Sequence, residues 1–317
     1  MKDKILSSLE PEEPKRDVAL VLSSGGARGL AHIGAIDILQ ERGYHIHSVA
    51  GTSMGAVIGA MYASGHLDDF KEWMSTIDRK KVLSLVDIKL SLDSISKGER
   101  IINAMKKIVP DCNIEDMQMP FCCIATDAQS GKEVVFKQGS MYDAIRASIS
   151  IPTFFSPVRR DDALLLDGGL VNPLPLNRVS RTENDLLVAV NVSGRDYQRQ
   201  SIFAKSVRKK EIDSSKALTI LQKLNIIKPD DDFNYYSLIN RVISIMINNN
   251  AQMSIKLTPP DILVNIPMYR YATFDFDKYE RLAEIGRQKT TKAIDAFETK
   301  QDKQKNKLQL AMQALGR

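Results

Sequence analysis

The sequence predicts an α/β protein of three layers, with helices on both faces of a mostly parallel sheet. Three observations predict it. Short, wholly apolar runs alternate with helix-period runs from residue 18 onward, the pattern of strands buried on both faces. Glycine-rich turns follow those runs and leave reactive side chains at strand ends, where open α/β sheets hold ligands. At 317 residues the chain can bury such a core as one large domain or two smaller units.

Taken in order, Val18-Ala19-Leu20-Val21-Leu22 reads as a buried strand and Leu30 to Gln40 as the helix after it. Ile46 to Ala50 reads as a second strand, followed by a helix over about 54–64. Residues 67–108 read as helical, with Phe70, Trp73, Met74, Ile77, Val82 and Leu83 spaced as a buried stripe. Phe121 to Thr126 is a third strand, with Val134 to Phe136 pairing beside it as a hairpin. It ends at Asp127, a candidate both for the site and for a turn before Ser130-Gly131. Ala163 to Leu166 is a short strand, and Leu186 to Val192 closes the series. Asp261 to Ile266 reads as a late strand of the same sheet, and Phe274 through Phe297 as a helix-rich cap.

These runs divide the chain into a flexible segment at 1–16, a core at 17–193, a helical insertion at 194–260, a completing strand and helix at 261–299, and a basic tail at 300–317. The insertion carries Lys205, Arg208, Lys209 and Lys210. Two amphipathic patterns follow, Leu218 to Ile227 and Ile239 to Ile247, broken by Pro229 and three aspartates. They fit helices packed on the core, a homodimer interface, or a lid that docks on lipid with its basic residues toward phosphate.

Composition narrows the class. Forty-four Lys and Arg against 39 Asp and Glu give a net charge of +5, which suits an anionic membrane surface without identifying one. No apolar run approaches the roughly 20 residues of a membrane span, and residues 1–16 lack the apolar core of a signal peptide. Cys112, Cys122 and Cys123 read as small buried apolar residues in a reducing compartment. A cytoplasmic protein, compatible with peripheral membrane contact, is the expectation. The sequence has no aromatic-interleaved basic patch of the nucleic-acid type and no His/Cys ligand cluster. Neither a nucleic-acid partner, a metal nor a cofactor is expected.

Three motifs carry chemistry. Gly51-Thr52-Ser53-Met54-Gly55 lies between a strand and a helix, the context of a nucleophile elbow. The turn lifts Ser53 clear of the backbone, Gly51 and Gly55 let strand and helix approach, and the helix N-terminus faces developing negative charge. Ser23-Ser24-Gly25-Gly26-Ala27-Arg28-Gly29 presents backbone N–H groups to an anion. It has neither the G-x-G-x-x-G spacing of a dinucleotide loop nor the lysine of a Walker loop. Asp167-Gly168-Gly169 follows a strand. It reads either as a plain turn or as a carboxylate sharing the serine's crevice.

The four histidines, His32, His45, His47 and His66, argue against a Ser-acid-His order, since none lies beyond His66. His32, His45 and His47 precede the serine and remain formal candidates. His47, on the strand, reads as a hydrogen-bonded sheet residue.

The ordered set of glycine loop with Arg, G-x-S-x-G and Asp-Gly-Gly resembles the patatin-like phospholipases, in particular their bacterial single-domain members. The resemblance covers about residues 17–193 and includes Arg146 to Pro152 and Asn172-Pro173-Leu174-Pro175. It implies a patatin-like α/β/α fold with a helix-rich C-terminal part, a Ser53 nucleophile and Asp167 as its sole partner. It also implies an oxyanion hole from Gly25 and Gly26 with Arg28 nearby, and a carboxylic ester of a lipid as substrate. The Met54 amide is a further candidate for the hole. Ser24 stands where the family loop has its first glycine, which a serine accommodates if its φ is negative. A Ser-Asp dyad also accounts for the missing distal histidine.

A lipid acyl hydrolase of phospholipase A or lysophospholipase type is the leading expectation. Two others stand beside it: a catalytically weak scaffold that docks on membranes or partners through 210–250, and a nucleotide-binding protein using the first glycine loop.

Overall fold

The computed structural model describes residues 16–86, 97–152, 154–194, 235–267, 271 and 273–315. The expected N-terminal segment up to residue 15 and the patterns over 195–234 lie outside them. The first half follows the expected alternation. Strand β1 spans Asp17–Leu22, α1 Ala31–Glu41, β2 His45–Thr52 and α2 Met54–Ala63. The helical stretch resolves into α3, Leu67–Ser75, α4, Arg79–Val86, and α5, Lys97–Lys106. Then come β3, Phe121–Asp127, β4, Glu133–Phe136, and α6, Met141–Ser148. Two short strands follow, β5 at Val158–Arg160 and β6 at Ala163–Asp167, then β7, Leu186–Gly194. Helix α7, Tyr235–Leu257, strand β8, Ile262–Pro267, and α8, Tyr279–Leu315, complete the fold.

All eight strands form one sheet, ordered β5-β6-β3-β2-β1-β7-β8, with β4 also on β3. From β8 to β3 neighbours run parallel, while β4 and β6 run antiparallel to β3. Strand alternation splits β1 between the two faces. Val18, Leu20 and Leu22 join the core under α1, α2 and α8, while Ala19 and Val21 meet Leu174, Leu176, Val179 and Ala251 on the other side. Residues Val18 to Leu22 are all 0% exposed, so each large side chain contributes about 1.5–3 kcal/mol of apolar burial.

The pairing along β3 positions the site. Cys123 and Ile124 pair with β2 and also with β4, so β2 and β4 lie on opposite edges. Ala125 and Thr126 pair with β4 and also with β6, so β6 lies on the same edge as β2. The two strands therefore meet end to end along one side of β3. Thr52 pairs with Ile124, and Asp167 with Ala125, the next residue.

Helices α1 and α8 pack backbone to backbone. A Cβ on Gly34 would stand 1.9 Å from Ala283 O, and one on Gly286 1.9 Å from Ala31 O. Helix α8 continues to Leu315, so residues 279–315 of the expected cap and basic tail are one uninterrupted helix. Strand β5 lies where no strand was expected, because its pattern ends in the exposed Arg159 and Arg160.

Candidate active site

Ser53 occupies the single residue between β2 and α2, with φ 56° and ψ −120°. A side chain in the left-handed region costs on the order of 1–3 kcal/mol and persists only where the surroundings enforce it. The flanking glycines belong to that enforcement. A Cβ on Gly51 would come within 2.2 Å of Gly55 O, and one on Gly55 within 2.2 Å of Leu22 O. The Ser53 N–H donates to Ser148 Oγ at 2.9 Å.

Asp167 ends β6 beside it. Its N–H donates to Ser150 O at 2.9 Å, its carbonyl accepts from Thr126 Oγ1 at 2.9 Å, and its Oδ1 accepts from Gly169 N–H at 2.7 Å. Gly168 is needed because a Cβ there would meet Ile124 O at 2.1 Å, and Gly169 lies close enough to Ser24 that one would stand 2.7 Å from its Oγ. Asp167 is only 4% exposed. Burial pushes its carboxyl pKa up to about 6, against the opposing pull of the Ser53 hydroxyl and the Gly169 amide. Ser53 is thus close enough to act on the carboxyl. Yet Oδ2 has no hydrogen bond of normal geometry among the described residues. The two groups are adjacent but not locked together. A loose pairing of this kind is common before substrate binds.

The glycine loop lies across from them. Ser23 N–H donates to Val190 O, Ser24 N–H to Pro173 O and Ala27 N–H to Thr273 O. Among the described residues, Gly25 and Gly26 N–H have no backbone acceptor. Gly26 has φ 57° and lies so close to Thr273 that a Cβ would meet its carbonyl at 2.7 Å. Ser24 is not among the residues with positive φ, so it fits the position where the family loop has glycine. Its amide is already committed to Pro173. Arg28 was expected beside the oxyanion. Its Nε donates to Gly25 O at 2.9 Å, which keeps Arg28 on the glycine loop. That carbonyl and the Gly26 N–H share one planar trans peptide, so fixing one aims the other in the opposite direction.

Each histidine has another partner. His32 is fully buried, binds Ser23 O at 2.9 Å through Nε2, and burial lowers its pKa to about 4, so it supports the loop as a neutral ring. His47 pairs with Asp185, His45 with Asp17 and His66 with Asp69. Asp127 takes the turn role: its carboxylate caps Gln129 and Ser130.

Ser53, Met54 and Gly26 open onto an apolar cleft with about 770 Å³ of empty space including its mouth. Its walls are Leu30, Val57, Phe70, Trp73, Met74 and Ile77, with Phe155 and Phe274 among the aromatic residues. Most of the stripe read from α3 and α4 therefore lines this cleft as well as the core. Sequence reasoning missed the roles of Ser148, Ser150 and Thr273. Only the resemblance of 146–152 to family sequence hinted at the first two.

A family model described as Patatin-like phospholipase matches residues 20–179. An uncharacterized NTE family protein of Mycobacterium tuberculosis is 32% identical over 335 residues, covering 90% of this chain and 93% of that protein. Lysophospholipase NTE1 of Candida glabrata is 28% identical over 277 residues, which are 85% of this chain but 15% of that longer protein. The crystal structure of VipD from Legionella pneumophila superposes with a TM-score of 0.44 at 14% identity, covering 90% of this chain and 67% of that one. The motif order, the family match and the near full-length similarity agree: this chain belongs to the patatin-like phospholipase family.

Proposed function

We propose that the chain is a serine acyl hydrolase that cleaves carboxylic esters of phospholipids or lysophospholipids through a Ser53–Asp167 dyad. The observation that carries this reading is a serine on an enforced elbow, beside a buried carboxyl whose Oδ2 has no hydrogen bond of normal geometry among the described residues, on an apolar cleft. Family membership and the lysophospholipase named among the relatives support a lipid ester as the substrate class.

In this reading Asp167 accepts the Ser53 hydroxyl proton as Oγ attacks the ester carbonyl. An ordinary carboxylate near pKa 3.9 is a poor base, and a raised pKa brings it closer to the operating range. The tetrahedral oxyanion takes hydrogen bonds from Gly26 N–H, with the Gly25 and Met54 amides as further donors. The leaving alcohol departs with the proton from Asp167. Water, deprotonated by the same carboxylate, then releases the acyl group. The apolar cleft accommodates the acyl chain, and the chemistry as written calls for no metal or cofactor. Among the described residues no helix is long and apolar enough to cross a membrane. Substrate would reach the site by peripheral contact with lipid, and a homodimer is compatible with this mode.

Fluorophosphonate labelling followed by intact-mass measurement tests the nucleophile. One adduct is expected, absent in Ser53→Ala, together with loss of about 10⁴-fold or more in ester turnover. Repetition in phospholipid–detergent mixed micelles covers a site that opens only at an interface. Silence there, or an adduct that survives in Ser53→Ala, would overturn the assignment and favour the scaffold reading.

A further inference from the structure

Helix α6 ends at Ser148 and Ser150 follows two residues on; both are buried, 0% exposed, and each holds the backbone of a different member of the proposed dyad. Ser148 Oγ accepts the Ser53 N–H at 2.9 Å and donates to Ile124 O at 2.6 Å. Ser150 accepts the Asp167 N–H on its carbonyl at 2.9 Å. Its own hydroxyl is held by Arg146, which donates from Nη1 at 2.7 Å and accepts on its carbonyl at 2.9 Å. Ile124, the acceptor for Ser148, pairs with Thr52, and its neighbour Ala125 pairs with Asp167.

We propose that Ser148 is a positioning residue of the acyl-transfer reaction: its hydroxyl fixes the backbone of Ser53 to β3 and so sets the separation between the nucleophile and Asp167. This rests on the Ser53–Asp167 reading above and deepens it.

The reason is geometric. A hydroxyl has one proton and two lone pairs, so Ser148 can accept from Ser53 and donate to β3 at once. Ser53 sits in a conformation that its own side chain disfavours, and such a residue relaxes unless its surroundings over-determine it. The glycines permit the elbow, but they do not fix the angle at which Ser53 leaves it. The hydrogen bond to Ser148 does. It also occupies the Ser53 amide, which leaves the Gly25, Gly26 and Met54 amides to serve the oxyanion. Removing the hydroxyl strands a buried N–H and a buried carbonyl beside the reacting atoms. Ser53 then drifts relative to a carboxyl held independently through Ser150.

A displacement of about 1 Å at a reacting atom can cost on the order of a hundredfold in rate. The test compares the parent, Ser148→Ala and Ser148→Cys. Active sites are titrated with the fluorophosphonate, and kcat per titrated site and KM are measured on a short-chain ester. A purely structural role would lower the titratable fraction and the melting temperature while kcat per titrated site stayed at the parent value. The expected result is a ten- to hundredfold loss of kcat per site in Ser148→Ala, with KM within about threefold. Ser148→Cys, similar in size but a weaker acceptor, should fall between the two, and it carries the test if the alanine variant does not fold. Parent-like kcat per titrated site in whichever variant is read overturns the proposal while leaving the dyad standing. A parent protein that neither labels nor hydrolyses overturns both.

Discussion

Asp127 and Asp167 end neighbouring antiparallel strands of one sheet, and each precedes a glycine-containing turn. They differ in how fully their carboxylates are satisfied. Asp127 faces solvent and accepts from the Ser130 hydroxyl and from the Gln129 and Ser130 amides. Those bonds hold its carboxyl below the usual range. Asp167 is buried with one amide on Oδ1 and, among the described residues, nothing of normal geometry on Oδ2, and burial holds its carboxyl high. A satisfied carboxylate serves as a cap, whereas a desolvated one with spare acceptor capacity suits the role of base proposed for Asp167.

The contrast can be broken most sharply at Asp167. Asp167→Asn keeps the shape and the Gly169 hydrogen bond but removes the proposed base, and a loss of about 10³–10⁴ in kcat is expected because no histidine stands in reserve. Activity that survives this change would return attention to the histidines. Arg28→Ala comes next. If the guanidinium aims the Gly26 amide through Gly25 O, kcat should fall about ten- to hundredfold with KM little changed. A change in KM alone would contradict that role.

The pH dependence is smaller and carries a sign. In the proposed dyad Asp167 must be ionised to act, so kcat/KM should fall about tenfold per unit below pH 6, and an acid limb near 4 would mean that burial does not tune this group. Stability should move the other way. A raised pKa in the folded state favours the neutral form there. The contribution to stability is therefore full below the unfolded value of about 3.9 and lost as pH rises through about 6, a cost on the order of 3 kcal/mol. Asp167→Asn should accordingly melt higher than the parent at pH 8, with the gap shrinking toward pH 4. The smallest effect belongs to Asp127→Ala, for which kcat/KM within about twofold of the parent and an unmoved acid limb are expected.

The same comparison marks what a sequence can carry. Both aspartates were visible as strand-end residues, and the order of three motifs singled out Asp167. Strands β1, β3, β7 and β8 were legible as largely apolar runs bounded by turns, and β2 by Ile46, Val49 and Ala50 leading into Gly51. The three-residue β5 was not, since two of its side chains are exposed arginines. Nor could the sequence foretell that Arg28 Nε turns back onto Gly25 O, or that Ser148 and Ser150 bond to the backbones of Ser53 and Asp167. Those roles come from hydrogen bonds to distant backbone, which leave no periodicity. The elevated pKa of Asp167 arises from burial by segments remote in sequence.

The β1–β7 pairing bears on how the gene could be divided. Every motif residue falls within 20–179, the stretch the family model matches. Yet Leu22 reaches Val190 through that pairing, and the glycine loop leans on Val192 and Thr273. A fragment ending near 180 would keep the full set of reactive side chains while turning β1 into an open, apolar edge, a template for self-association in the test tube. Heterologous expression of the motif-bearing stretch alone would thus be an exercise in inclusion bodies, and library or fusion designs should treat β7, β8 and α8 as inseparable from it.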